Sequence, residues 1–131
     1  MLVDGMNVIG ARPDGWWRDR DQAVRRLVAR LAAMVAGGSD EITVAFDGRP
    51  LPDLAEGTHD GVGVLYARRS GPDGADDRIV EEVARHPDPG SLTVVTSDRA
   101  LAGRVHRLGA RVAGVTALIG PAVPPGARRR G

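Results

Sequence analysis

The segment Ile42-Thr43-Val44-Ala45-Phe46 constrains the fold more than any other. It is β-branched and apolar on both of its faces, so as a strand it needs cover above and below. A sheet covered on both sides requires helices between its strands, and the chain supplies them. From about Trp16 to Ala36, the residues Val24, Leu27, Val28, Leu31 and Val35 fall at i, i+3, i+4, i+7 and i+11. That spacing is one apolar helical stripe, which Gly37 and Gly38 bring to an end. Further helices are expected over 75–85, before His86-Pro87, and over 98–108, before Gly109. Strands are expected at Leu2-Val3, Val62–Tyr66, Leu92–Thr96 and Val112–Val115. Residues 5–10 read as a turn, 49–60 as a loop with two prolines, and 68–74 as a basic, turn-rich loop. The alternation predicts an α/β domain with a mostly parallel sheet flanked by helices. It spans residues 1–119, and a Pro/Arg-rich tail follows over 120–131.

Composition narrows the chemistry. All 18 basic residues are Arg, 13 of the 17 acids are Asp, and Cys is absent. Without Lys there is no phosphate-loop lysine and no Schiff-base chemistry. Without Cys there is no thiol nucleophile, disulfide, iron–sulfur cluster or cysteine zinc site. Four aromatic residues, Trp16, Trp17, Phe46 and Tyr66, are too few for a base-stacking module. No apolar run is long enough to span a membrane, and the N-terminus does not read as a signal peptide, so a cytoplasmic location is expected. The net charge of +1 says nothing of partners.

The placement of the acids is more informative. In open α/β sheets, ligands bind outside the C-terminal ends of the strands. Three strands here end in an acid: Val3-Asp4, Phe46-Asp47 and Thr96-Ser97-Asp98. A fourth acid comes from the helix over 75–85. On a wheel of about 100° per residue, Ile79, Val80, Val83 and Ala84 lie within about 80° of Asp76. The same wheel puts Arg78, Glu81, Glu82 and Arg85 on the opposite side. Asp76 is therefore expected on the apolar face, and Asp77 as a solvated first-turn acid. Like charges raise one another's pKa, and a hard divalent cation such as Mg2+ or Mn2+ relieves that conflict with carboxylate and water ligands. Such a site suits phosphodiester hydrolysis. Each acid also has a structural reading: Asp4-Gly5 and Asp47-Gly48 as turns, Asp98 as a helix cap. Asn7 and Ser97 could touch a phosphate or serve the local backbone.

These residues resemble a known family. Val3-Asp4-Gly5-Met6-Asn7-Val8-Ile9-Gly10, Val44-Ala45-Phe46-Asp47, Gly74-Ala75-Asp76-Asp77-Arg78-Ile79 and Val94-Val95-Thr96-Ser97-Asp98 follow the order of the NYN domain, in the YacP-like branch of the PIN-like nuclease superfamily. The resemblance covers about residues 2–115. It implies a Rossmann-like sheet with an acidic Mg2+/Mn2+ site that cleaves RNA. The family's first-strand Asp and nearby Asn correspond to Asp4 and Asn7, its helix-start acid to Asp76, with Asp77 as rival, and its other strand-end acids to Asp47 and Asp98. Many relatives carry a further acid just after the last of these; here Arg99 and Ala100 stand there.

The resulting expectation is a metal-dependent endoribonuclease. Asp4, Asp76 and Asp98 would hold the metal, Asp47 would help to bind or orient it, and Asn7, Arg12, Arg68, Arg69 and Ser97 would contact RNA. Arg18 flanks the same region, and Trp16-Trp17 could stack a base or simply pack the first helix. Arg128-Arg129-Arg130 could add nonspecific affinity for RNA or for ribosomes. The alternative is a noncatalytic RNA-binding module. A phosphatase using Asp4 as nucleophile would need an acid at Met6.

Overall fold

The computed structural model describes residues 1–11, 15, 18–68 and 74–119. The expectations for Arg12, Trp16, Trp17, Arg69 and the 120–131 tail lie outside them. The described elements are β1 Leu2–Asp4, α1 Gly5–Gly10, α2 Arg20–Ala36, β2 Ile42–Phe46, β3 Gly57–His59, β4 Val62–Tyr66, α3 Gly74–Arg85, β5 Thr93–Val95, α4 Arg99–Arg107, β6 Arg111–Ala113 and α5 Thr116–Ile119. A 3-10 turn at Pro89–Ser91 precedes β5.

The sheet has six strands in the order β3-β4-β2-β1-β5-β6. Every pairing is parallel except β3 with β4. The sheet is thus the α/β architecture that the alternation predicts. The apolar β2 run lies between β1 and β4, inside the sheet.

Strand alternation divides the core into two layers. Val3, Val44, Phe46, Val62, Val64 and Val95 pack with Val8 of α1 and with Val24, Leu27, Val28 and Leu31 of α2. Leu2, Ala45 and Val94 point to the other face, against Ile79 and Val83 of α3 and Leu101 and Val105 of α4. The stripe expected on α2 is therefore its buried face. Asp19 starts α2 by accepting a hydrogen bond from the Gln22 N–H at 3.1 Å.

Three local expectations need correction. First, residues 5–10 form a helix rather than a turn. Gly5 permits this, because a Cβ there would stand 2.4 Å from Phe46 Cε1 and 2.9 Å from the Ala45 carbonyl oxygen. The start of α1 can lie against β2 only if residue 5 is Gly. Second, part of the 49–60 loop is a strand, β3. It pairs with β4 through the two-residue turn Asp60-Gly61, both with positive φ (48° and 86°). Asp-Gly between strands is the usual signal for such a hairpin. Exposed Gly57 and Thr58 carry no apolar pattern, and so they conceal it.

Third, the buried face of α3 is rotated from the wheel. Gly74, Ala75, Arg78, Ile79 and Val83 are buried, Asp76 and Val80 are half-buried, and Ala84 is exposed. The wheel sends charged residues to solvent by type, but Arg78 has internal acceptors. Its Nη1 donates to Glu56 Oε1 at 2.9 Å and to the Tyr66 carbonyl at 2.9 Å, and its Nη2 donates to Glu56 Oε2 at 3.1 Å. Glu56 also accepts from the Tyr66 N–H at 3.2 Å, which ties α3 to the end of β4.

Candidate active site

The alternation that sorts the core also gathers the polar side chains at the C-terminal edge. Asp4 follows Leu2 by two residues, Asp47 follows Ala45 and Thr96 follows Val94, so all three project toward the α3/α4 face. Contacts bear this out. The Thr96 hydroxyl donates to Asp4 Oδ2 at 2.8 Å. The Ala75 N–H, at the start of α3, donates to Asp47 Oδ1 at 2.9 Å. Thr96 Oγ1 in turn accepts from the Asp98 N–H at 3.0 Å. Thr96 thus joins the first-strand acid to the segment bearing Asp98, a role that sequence reasoning missed.

Asp4 is buried, with 5% of its surface exposed. Burial pushes its carboxyl up from the usual aspartate range. The Thr96 hydroxyl and the backbone N–H of Asn7 pull the other way, and the negative charges of Asp98 and Asp47 add to the rise. The charges of Asp47 and Asp98 thus both reach Asp4. The structure places Asp76 half-buried, next to the Ala75 amide that Asp47 bonds. Asp77 meets Arg104 of α4, whose Nη2 lies 3.2 Å from Asp77 Oδ1.

Structural uses of these residues coexist with the expected chemical ones. Asp98 caps α4 by accepting from the Ala100 and Leu101 N–H groups at 2.9 and 3.1 Å. Asn7 Oδ1 accepts from the Ser97 N–H at 2.7 Å, clipping α1 to the turn after β5. Ser97 Oγ accepts from the Val115 N–H at 3.3 Å. Arg68 is engaged by Glu81: its Nε lies 3.1 and 3.2 Å from the two carboxylate oxygens, and its Nη2 lies 2.8 Å from one of them. Arg18 is exposed, and its N–H donates to the Gly15 carbonyl at 3.0 Å.

The YacP-like NYN domain family matches residues 1–121 of this sequence. The chain belongs to that family. Among solved structures, Rae1 (YacP) from Bacillus subtilis is similar to it with a TM-score of 0.68 at 25% identity, over 90% of this chain and 70% of that one. A mutant of Rae1 gives a TM-score of 0.71 at 23% identity with the same coverage. No curated protein matches the chain. This YacP-like NYN domain therefore has the PIN-like, nuclease-type fold.

By donor chemistry alone, the acids of this NYN domain are of the type that a hard divalent cation takes. Asp4, Asp47 and Asp98 offer only oxygen, and Asp4 is a desolvated carboxylate facing further negative charge. Among the described residues the second oxygens of Asp47 and Asp98 accept no hydrogen bond. No three acidic or histidine groups among the described residues form a ready-made cage. Also among them, no helix is long and apolar enough to cross a membrane.

Proposed function

We propose that this domain is a Mg2+- or Mn2+-dependent endoribonuclease that hydrolyses RNA phosphodiester bonds at the C-terminal edge of its sheet. Asp4 carries the reading. A carboxylate removed from water beside two further acids costs stability, and a cation is the partner that offsets the cost. Asp4, Asp76 and Asp98 would hold the ion, directly or through water, and Asp47 would orient that group while keeping the start of α3 in place. When bound, the ion would supply an activated water and neutralise charge on the phosphate.

The remaining residues bind and position. Thr96 fixes Asp4 in one rotamer through its hydroxyl. Asn7 spends its carbonyl oxygen on Ser97, which leaves its NH2 group to donate to a phosphate oxygen. Ser97 stands beside it. Arg68 would reach phosphate by exchanging Glu81 for it, and Arg12 and Arg69 would add further phosphate contacts. RNA, including RNA on ribosomes, is the proposed partner, which places the work in the cytoplasm.

The test is cleavage of a labelled RNA with Mn2+ or Mg2+ present. Cutting is expected to stop with EDTA and with Asp76→Asn, while the variant keeps its melting transition. Full activity in Asp76→Asn, or activity that survives EDTA, overturns the proposal. The second reading is a noncatalytic RNA-binding module; tight RNA binding without cleavage at saturating Mn2+ would select it.

A further inference from the structure

Sequence reasoning passed over Arg20, the first residue of α2. The structure gives it a particular place. Its Nη2 donates to the backbone carbonyl of Asp47 and lies 3.5 Å from the sulfur of Met6. Met6 stands between Asp4 and Asn7 on α1, so the guanidinium is lodged between the two segments that carry the first two site acids. Gly48 makes room for it. A Cβ at Gly48 would stand 3.0 Å from Arg20 Nη2 and 3.3 Å from Cζ and Nη1, and its φ of +83° is one that L residues rarely adopt. The guanidinium therefore lies close against the Asp47-Gly48 turn, with Arg20 half-buried on the α1/α2 side of the edge whose acids project toward α3 and α4.

Its charge is also unspent. Arg25, Arg68, Arg78, Arg85 and Arg104 each meet a carboxylate. Arg20 forms no ion pair among the described residues, and only its Nη2 donates. A preorganised guanidinium whose Nη1 and Nε make no hydrogen bond among the described residues is suited to a two-pronged grip on a phosphate, and little side-chain entropy remains to be lost. An edge lined by acids repels a polyanion, so a fixed cation on its rim is what an RNA strand requires to settle there.

We propose that Arg20 is the phosphate clamp of this site, gripping the RNA backbone beside the scissile bond through its Nη1–Nε edge. The proposal rests on the ribonuclease reading for its substrate, though not for its chemistry.

The experiment measures binding of a fluorescent single-stranded RNA by anisotropy. It uses the full chain in EDTA between about 50 and 200 mM salt. Arg20→Gln keeps a donor for the Asp47 carbonyl but removes the charge. It is expected to weaken binding about tenfold and to lower the slope of log affinity against log salt by about 0.7 to 1. Arg20→Ala should do the same, and Arg20→Lys should keep the slope. Arg107→Ala, at the far end of α4, should change neither quantity. A folded Arg20→Gln protein with the wild-type slope and affinity overturns the proposal. If Arg20→Ala fails to fold, Arg20→Gln alone decides, because a merely structural role would not move the salt slope. Two further outcomes separate the proposals. A wild-type chain that binds with the Arg20-dependent slope but leaves RNA uncut in Mn2+ sinks the ribonuclease reading and upholds the clamp. Mn2+-dependent cleavage with an unchanged KM in Arg20→Gln sinks the clamp alone.

Discussion

Two charged side chains are buried among the described residues, Asp4 at 5% exposure and Arg78 at 6%, and the fold treats them in opposite ways. Arg78 enters the interior with its counter-charge. Glu56 meets it with both oxygens, the Tyr66 carbonyl takes a further N–H, and Glu82 lies 3.7 Å from its Nε. That Nε is the one buried side-chain polar atom without a hydrogen bond among the described residues. Asp4 enters with the Thr96 hydroxyl and the Asn7 backbone N–H as donors and no cation among the described residues, and the charges of Asp98 and Asp47 act on it. Both buried charges cost desolvation energy. At Arg78 the fold offsets that cost internally and gains a rigid joint between β4 and α3. At Asp4 it leaves the cost standing, as happens where a side chain awaits a ligand from outside. The contrast separates a charge that holds the structure from one that the proposed site would use.

The largest effect expected from this contrast is at Asp4. Replacing it with Asn keeps its shape and removes its charge. RNA cleavage should fall about a thousandfold, corresponding to about 4 kcal/mol of lost transition-state stabilisation. Stability should move the other way. Because burial raises the folded-state pKa of Asp4 above its unfolded value, its contribution favours the fold below the unfolded pKa and is lost as the pH rises through the folded one. At pH 7 without metal, Asp4→Asn should therefore melt higher than the wild type, with the gap narrowing toward pH 4. A lower melting temperature for Asp4→Asn at pH 7 would put Asp4 on the structural side of the comparison.

Arg78 should give the reverse pattern and the next largest effect. Arg78→Met fills much of the same volume but strands the Tyr66 carbonyl and Glu56. Urea unfolding should show a loss of about 3 kcal/mol, at the low end for breaking a buried pair because Glu56 is half-exposed. Cleavage by the folded fraction should change much less than stability. A loss below about 1 kcal/mol would mean that the Glu56 pair contributes no more than an ordinary surface contact.

The same contrast explains what could be read from the sequence. The parallel sheet follows from the apolar runs at Ile42–Phe46 and Val62–Tyr66, the first of them buried on both faces. Asp4, Asp47 and Asp98 were legible because strand ends in such a sheet share one edge, so position in the chain fixes position in space. Arg78 was not legible, since a helical wheel knows residue type and angle but not that Glu56, twenty-two residues earlier, supplies an internal partner. Arg20 escaped for a related reason. Its place depends on a glycine twenty-eight residues later and on a backbone carbonyl, and neither leaves a periodic signal. Thr96 looked like part of a strand until the register set its hydroxyl against Asp4.

The smallest effect is also the sharpest test, because it turns on sign. Glu56 is a carboxylate whose pKa moves opposite to that of Asp4: the Arg78 guanidinium holds it below its ordinary value of 4.5, against a smaller push from burial. Its contribution to stability is therefore present above the unfolded pKa and lost as the pH falls through the folded one. Glu56 is 45% exposed, so solvent screens the pair, and Glu56→Gln should cost about 1 kcal/mol or less at pH 7. That cost should shrink as the pH drops below 4.5, because protonation then does to the wild type what the substitution has already done. Thermal melts of Asp4→Asn and Glu56→Gln from pH 7 to pH 3 should thus lie on opposite sides of the wild type at neutral pH and converge on it in acid. If both variants lie on the same side, the two carboxylates share one role, and Asp4 loses its claim to be a charge that the fold holds for a ligand.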